Sequence, residues 1–358
     1  MPIRKSGGFF TKDPSIDSSS FNLLIALIAI TLVLVMILGG YMGIMLATGD
    51  PIEIINKPST DDEFPLRQNI SIDIQFNEDN VSGISGIESQ SAVLVDATTG
   101  VVIAGKRSGG EISPASMTKI MTLIVVIENL TGDDPLNAMV PVTEEHISHK
   151  TSARKVSGYL GNSTYPAGEY PVKELLYHLM LDSSGVAALA LADYVAGSEA
   201  NFVALMNEKA NEMELERTQF VYCDGSYDLG HVSTCRDMAK IMAYAVNNTF
   251  CYEFMSALSM VDTNGNTLYN KPLVHNFYQQ NSQYIELSPK NAKIKAAKTG
   301  WTGSLASGES GGCLVSYAKG KDGKDYIVVI AGSPLGSYQE SIAVSVQDTI
   351  KVFDEFIK

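Results

Sequence analysis

The chain is short of positive charge. Its 26 lysines and arginines face 40 aspartates and glutamates, for a formal net charge of −14. So acidic a chain repels a polyphosphate, and no nucleic-acid partner is expected. Cysteine is scarce too. Cys223, Cys235, Cys251 and Cys313 fall at no metal-ligand spacing and are too few for a disulfide framework in a chain of this length. The spacing leaves open whether any pair bridges; small buried side chains account for all four. There is one tryptophan, Trp301, and no internal repeat. At 358 residues the chain can hold one large or two modest domains with ample core.

Charge is missing altogether from Phe21 to Ala47, where Leu, Ile, Val, Met and Ala dominate. The run exceeds the roughly 18–20 residues that span a bilayer. It is too long for the h-region of a cleaved signal peptide, about 7–15 residues, and Leu46-Ala47-Thr48-Gly49 is a poor cleavage site. A retained transmembrane signal anchor over 21–47 is therefore expected. Arg4, Lys5 and Lys12 precede it; Asp50, Glu53, Asp61, Asp62 and Glu63 follow. The positive-inside rule then makes residues 1–20 a cytoplasmic tail and places the rest outside the cell membrane. Residues 48–87 are polar and without periodicity, as in a stalk, with a short ordered piece around 70–76.

From residue 88 to 358 the pattern is globular. The apolar runs 91–96 and 101–104, joined by Ala97-Thr98-Thr99-Gly100, predict a hairpin. Segments 172–181, 186–195, 200–213 and 234–246 read as helices, with Asp182-Ser183-Ser184-Gly185 breaking the first from the second. Thr234 and Asp237 fit a helix start with its cap. Segments 293–298, 312–317 and 326–331 read as strands, and 337–357 as a closing amphipathic helix. Strands at both ends of the chain predict one sheet, with the helical middle as a second lobe: an α+β architecture.

Chemistry is expected at Ser116 and Lys119. Three residues apart on a helix, they share a face, which sets an amine beside a hydroxyl. A desolvated lysine, or one near a second cation, can take a serine proton. Ser113 suits an N-cap and Pro114 the first helical position, and Met117, Ile120, Met121, Ile124 and Val125 recur at helical spacing. Ser116 would then sit in the first turn, where free N–H groups favour negative charge. Two other Ser-x-x-Lys pairs are weaker. Ser152–Lys155 follows a polar stretch, and Ser316–Lys319 ends a strand, where residues three apart face opposite sides.

These residues, with two further motifs in order, resemble the serine-type D-alanyl-D-alanine carboxypeptidases, the low-molecular-weight penicillin-binding proteins. The motifs are Ser116-Met-Thr-Lys119, the inter-helix Ser183-Ser184-Gly185, and Lys298-Thr299-Gly300-Trp301-Thr302. The resemblance covers about residues 88–358 and implies a β-lactamase/transpeptidase-like fold with an antiparallel sheet flanked by helices. It implies that Ser116 attacks the carbonyl between two terminal D-alanines of a peptidoglycan stem peptide, with Lys119 as base and Ser183 passing the proton to the leaving amine. Lys298 would help keep Lys119 neutral and, with Thr299, attract the substrate carboxylate. Gly300 would let the substrate backbone lie close. The N–H groups of Ser116 and Trp301 would form the oxyanion hole. β-Lactams would acylate the same serine, and no metal or organic cofactor is implied.

The chain departs from the family in two places. The second motif is normally Ser-x-Asn, and Gly185 stands where the asparagine belongs; the sole Ser-x-Asn, Ser20-Phe21-Asn22, is at the membrane edge. No arginine follows Arg236 to bind the substrate carboxylate. Two rival readings stay open: a protein of this fold that binds wall peptides or β-lactams but turns over poorly, and a β-lactamase-type hydrolase. The latter needs a deacylating glutamate, and Glu199 and Glu208 read as helix-surface residues.

Overall fold

A hairpin opens the central sheet of the computed structural model, which describes residue 74 and residues 81–148, 166–273, 278–280, 283–302, 311–334 and 336–358. Its strands are β2 (Ser91–Asp96) and β3 (Val101–Lys106). Asp96 Oδ1 accepts the N–H groups of Thr98 and Thr99 at 3.0 Å, which closes the turn. Upstream, β1 (Ser82–Gly83) pairs in parallel with β3. The far end of the chain returns as β12 (Ala292–Trp301), β13 (Gly312–Gly320) and β14 (Asp325–Ala331), an antiparallel meander. β14 pairs with β2, so the order is β1-β3-β2-β14-β13-β12. Both ends of the chain complete one sheet, as the pattern predicts, and the parallel β1 makes it mixed rather than wholly antiparallel. Residues 81–87, read as stalk, belong to the packed unit: Ile84 and Ile87 are buried in the core.

Alternation along each strand separates two cores. Val93 and Val95 of β2 and Ile327 and Val329 of β14 face the helical middle. Ala92 and Leu94, with Val328 and Ile330, face Val352 and Phe353 of the closing helix. That helix, α8 (Tyr338–Phe356), starts in a capping box: Ser337 Oγ accepts the Glu340 N–H, and Glu340 accepts the Ser337 N–H.

The helical lobe forms around α1 (Lys119–Asn129), buried at every position from Lys119 to Ile127. Such all-round burial marks a central helix rather than a surface one. Around it lie α2 (Glu144–Ser148), α3 (Val172–Leu181), α4 (Gly185–Ala196), α5 (Glu199–Glu212), α6 (Cys235–Asn247) and α7 (Thr249–Ser256). Thr234 caps α6 by accepting the Asp237 N–H at 3.0 Å, as its sequence predicts. Small two-stranded pairings flank these helices: β4 (Glu111–Ile112) with β7 (Ser233–Thr234), β5 (Met139–Val142) with β6 (Gly168–Pro171), β8 (Ser259–Val261) with β9 (Thr267–Tyr269), and β10 (Tyr278–Gln280) with β11 (Gln283–Ile285). None of these pairings was expected, nor were α2 and α7. Their strands are two to four residues long, too short to show a period.

The apolar run 21–47 and the Ser152–Lys155 pair lie outside the described residues. Among the described residues, no helix is long and apolar enough to cross a membrane. Ser316–Lys319 lies on β13, Ser316 buried and Lys319 exposed, as the strand period requires. All four cysteines are free and buried.

Candidate active site

The nucleophile segment differs from the expected cap. A one-turn 3-10 helix, Ala115–Thr118, precedes α1, and its N-cap is Pro114 with no side-chain hydrogen bond. Ser113 does not cap it. Ala115 instead takes φ +46°, the left-handed region. An alanine there is strained, and such strain collects at functional sites. The kink sets Ser116 at the pocket wall and Lys119 behind it. Lys119 Nζ donates to Ser116 Oγ at 3.0 Å and to the Asp224 carbonyl at 2.5 Å, and Lys119 is 3% exposed.

The loop that carries Asp224 is built against this segment. Thr122 Oγ1 donates to the Cys223 carbonyl, and Asp224 accepts the N–H and hydroxyl of Ser226. Gly225 sits at φ +79°, and a Cβ there would lie 2.0 Å from the Ala115 carbonyl oxygen. Only glycine allows that approach. His231 ties the far end of the loop to the same turn. Its Nδ1 accepts the Val221 and Tyr222 N–H groups, so Nε2 carries the proton and donates to Thr118 Oγ1 at 2.8 Å. Burial pushes His231 down to about 4, against the pull of Asp224 and Asp228. It is a neutral brace.

Across the pocket, Ser183 follows α3 at φ +57°. The cap of α4 is its neighbour, Ser184, whose Oγ accepts the Ala187 N–H at 3.0 Å. That division of labour leaves Ser183 Oγ aimed at Lys298, whose Nζ donates to it at 2.8 Å and to the Thr299 carbonyl at 2.8 Å. Lys298 is 2% exposed. Burial first, and repulsion from nearby Lys119 second, hold Lys298 well below the usual lysine range. The two lysines therefore repel one another, so that charge on one disfavours charge on the other.

Gly300 lets the nucleophile segment pack closely on the strand. A Cβ there would meet Cys313 Sγ at 2.6 Å and Ala115 Cβ and the Pro114 carbonyl at 3.0 Å. The missing side chain admits the nucleophile segment. Cys313 donates its thiol to that Pro114 carbonyl at 3.4 Å, and burial pushes the thiol up to about 12, leaving it inert. Trp301 both lines the pocket and packs on the core: it stacks edge-on against Tyr338 at 6.0 Å beside Leu314 and Ile342.

One pocket thus brings together Ser116, Ser183, Lys298, Thr299, Gly300 and Trp301. Lys119 stands behind Ser116. Gly185 is buried at the first turn of α4 and brings backbone only. Lys271, 3.5 Å from Asp182, lines the pocket and was not foreseen. Arg236 lies elsewhere, bonded to Ser108. Glu199 accepts the Cys223 N–H at 3.1 Å and Glu208 is exposed, so neither is poised beside Ser116. Asp224, Gly225 and His231 were also missed as site residues; the Asp-Gly pair signals a turn but not its neighbour.

Fold and site together define the penicillin-binding, transpeptidase-like class. The family description D-alanyl-D-alanine carboxypeptidase (Peptidase_S11) matches residues 77–334, and the chain belongs to that family. D-alanyl-D-alanine carboxypeptidase DacF of Bacillus subtilis is 31% identical over 249 residues, 69% of this chain and 58% of that protein. DacC of Escherichia coli is 34% identical over 156 residues, 43% of this chain and 38% of that protein. The chain therefore aligns with roughly half the length of these relatives. Among solved structures, a variant of a Streptomyces DD-transpeptidase matches with TM-score 0.60 at 24% identity, over 76% of this chain and 98% of that one. Penicillin-binding protein 5 from Haemophilus influenzae matches with TM-score 0.59 at 22% identity, over 75% and 71%. These two likenesses are of fold.

Proposed function

We propose that the protein is a membrane-anchored, extracytoplasmic serine D-Ala-D-Ala carboxypeptidase of a bacterium, which trims peptidoglycan stem peptides. The observation that carries this reading is the crossed pairing of two serines and two lysines over one pocket: Lys119 on Ser116 at 3.0 Å and Lys298 on Ser183 at 2.8 Å. Lys119 takes the Ser116 proton as Oγ attacks the penultimate D-alanine carbonyl. The N–H groups of Ser116 and Trp301 receive the oxyanion. Ser183, which can both accept and donate, hands a proton to the leaving amine of the terminal D-alanine. Water then hydrolyses the acyl-enzyme. A β-lactam acylates Ser116 by the same attack.

Gly185 removes the asparagine amide that would steady Lys119. The Asp224 carbonyl, 2.5 Å from Lys119 Nζ, supplies an anchor that needs no side chain at position 185. Lys298 is buried and committed to Ser183, so the substrate carboxylate falls to Thr299 and to Lys271, which lines the same pocket. The span 21–47 supports an anchor with the domain outside. A tag-accessibility assay on cells, with protease reaching the domain but not residues 1–20, tests that placement.

Release of D-alanine from a peptide ending in D-Ala-D-Ala tests the activity. Gly185 supports a second reading, a binding or sensing protein that acylates but turns over poorly. A long-lived penicilloyl adduct without D-alanine release would favour it.

A further inference from the structure

Behind Ser183 lies a buried cluster that the mechanism does not use. Glu174 and His178 stand one turn apart on α3, and Asp262 opens the turn between β8 and β9. Their side chains are 6%, 3% and 1% exposed. His178 Nε2 lies 4.0 Å from Glu174 Oε1 and 3.7 Å from Asp262 Oδ2, and one donor atom from each residue lies within 4.8 Å of the others.

Each carboxylate is oriented by uncharged donors. Thr263 gives its N–H at 3.1 Å and its hydroxyl at 2.9 Å to Glu174 Oε1. Asp262 Oδ1 accepts Asn264 and Asn266 N–H groups at 3.0 and 2.7 Å, and Oδ2 accepts Asn266 Nδ2 at 3.0 Å. Among the described residues, the ion-pair contacts of both acids are with His178. Two carboxylate side chains and one imidazole thus converge in a dry interior, where charge is costly without a counter-ion.

We propose that Glu174, His178 and Asp262 form a site for a divalent metal ion of the zinc class. One imidazole and two carboxylates are a donor set that zinc accepts, and oriented carboxylates are what the outer shell of such a site supplies. Zinc bonds of about 2.0–2.2 Å place donor atoms roughly 3.3–3.5 Å apart, so the cluster needs only a modest contraction. The fourth position is left for water. The ion ties α3 to the β8–β9 turn. The His178 carbonyl accepts the Ser184 N–H at 3.0 Å, so the tie lies directly beneath the loop that presents Ser183.

The test is metal binding, read independently of peptidase activity. Full-length protein is stripped with chelator, titrated with zinc chloride by calorimetry, and assayed for bound metal after dialysis. Glu174→Gln and Asp262→Asn keep size and hydrogen-bond acceptors while removing charge. The expected result is about one zinc per chain and a higher Tm with zinc. Both variants, folded by circular dichroism, lose about tenfold or more in zinc affinity. Binding of less than about a tenth of an equivalent, or variants that bind as tightly as the parent, would overturn the site.

Discussion

Lys298 Nζ lies 2.8 Å from Ser183 Oγ, with the lysine 2% exposed and held well below its usual pKa by burial and by Lys119. Such a cation is there to act on its neighbours rather than to solvate a strand. By donating to Ser183 Oγ it biases that hydroxyl towards giving up its proton, and it brings positive charge to the pocket.

Lys298→Met should therefore cut the rate of acylation by a labelled penicillin about 10²–10³-fold. Ser183→Ala should cost about 10²–10⁴-fold, the range for a lost proton relay. The proton on Lys298 leaves at a pH below the ordinary lysine value of 10.5. Acylation should accordingly fall on the alkaline side earlier than a free lysine would give. Stopped-flow acylation across pH checks both points; a rate unchanged in Lys298→Met would contradict the role.

Gly300→Ala pushes a methyl to within 2.6 Å of Cys313 Sγ. Overpacking of this kind costs about 1–3 kcal/mol, and here it also shifts the strand against Ala115. Stability and acylation should fall together. Adding Cys313→Ala removes the nearest obstacle and should restore part of both, as read by denaturant titration and penicillin labelling.

His231 must stay neutral to brace Thr118. Its pKa is about 4 in the fold against 6.5 ordinarily. Between those values the unfolded chain binds the proton more readily, so this contribution is complete above pH 6.5 and is lost as pH falls towards 4. The loss is roughly 3 kcal/mol at most. Denaturant unfolding at pH 7 and pH 4.5 should show wild type losing more stability than His231→Gln.

Lys271 should matter for substrate rather than for folding. Lys271→Gln is expected to raise KM for D-Ala-D-Ala peptides several-fold with less effect on kcat, since it removes charge that substrate and transition state feel alike. A purely structural role through Asp182, 3.5 Å away, would lower Tm and leave KM unchanged.

Where a period ran long enough, the sequence showed the fold. Val172–Leu181 and the strand at Tyr326 carry unbroken patterns and end on turn residues, and the closing helix carries a long amphipathic one. Ser116, Lys119, Ser183 and Lys298 were legible because three short motifs fix them. The supports were not. Asp224 reaches Lys119 across 105 residues through a main-chain carbonyl, which any residue type could offer. His231 braces Thr118 across 113 residues, and nothing local to either marks the pairing. Ser113 looked like a cap because Ser-Pro usually is one; the close approach of Gly225 and Gly300 to Pro114 and Ala115 imposes a kinked 3-10 turn instead.

The central claim is that Ser116 forms the acyl-enzyme. Wild type and Ser116→Ala would be incubated with a labelled penicillin and mapped by peptide mass spectrometry, with D-alanine release from a D-Ala-D-Ala peptide followed in parallel. The account predicts label on the Ser116 peptide of the wild type, D-alanine release, and neither in Ser116→Ala. Label on another residue, or release that survives in Ser116→Ala, would contradict it.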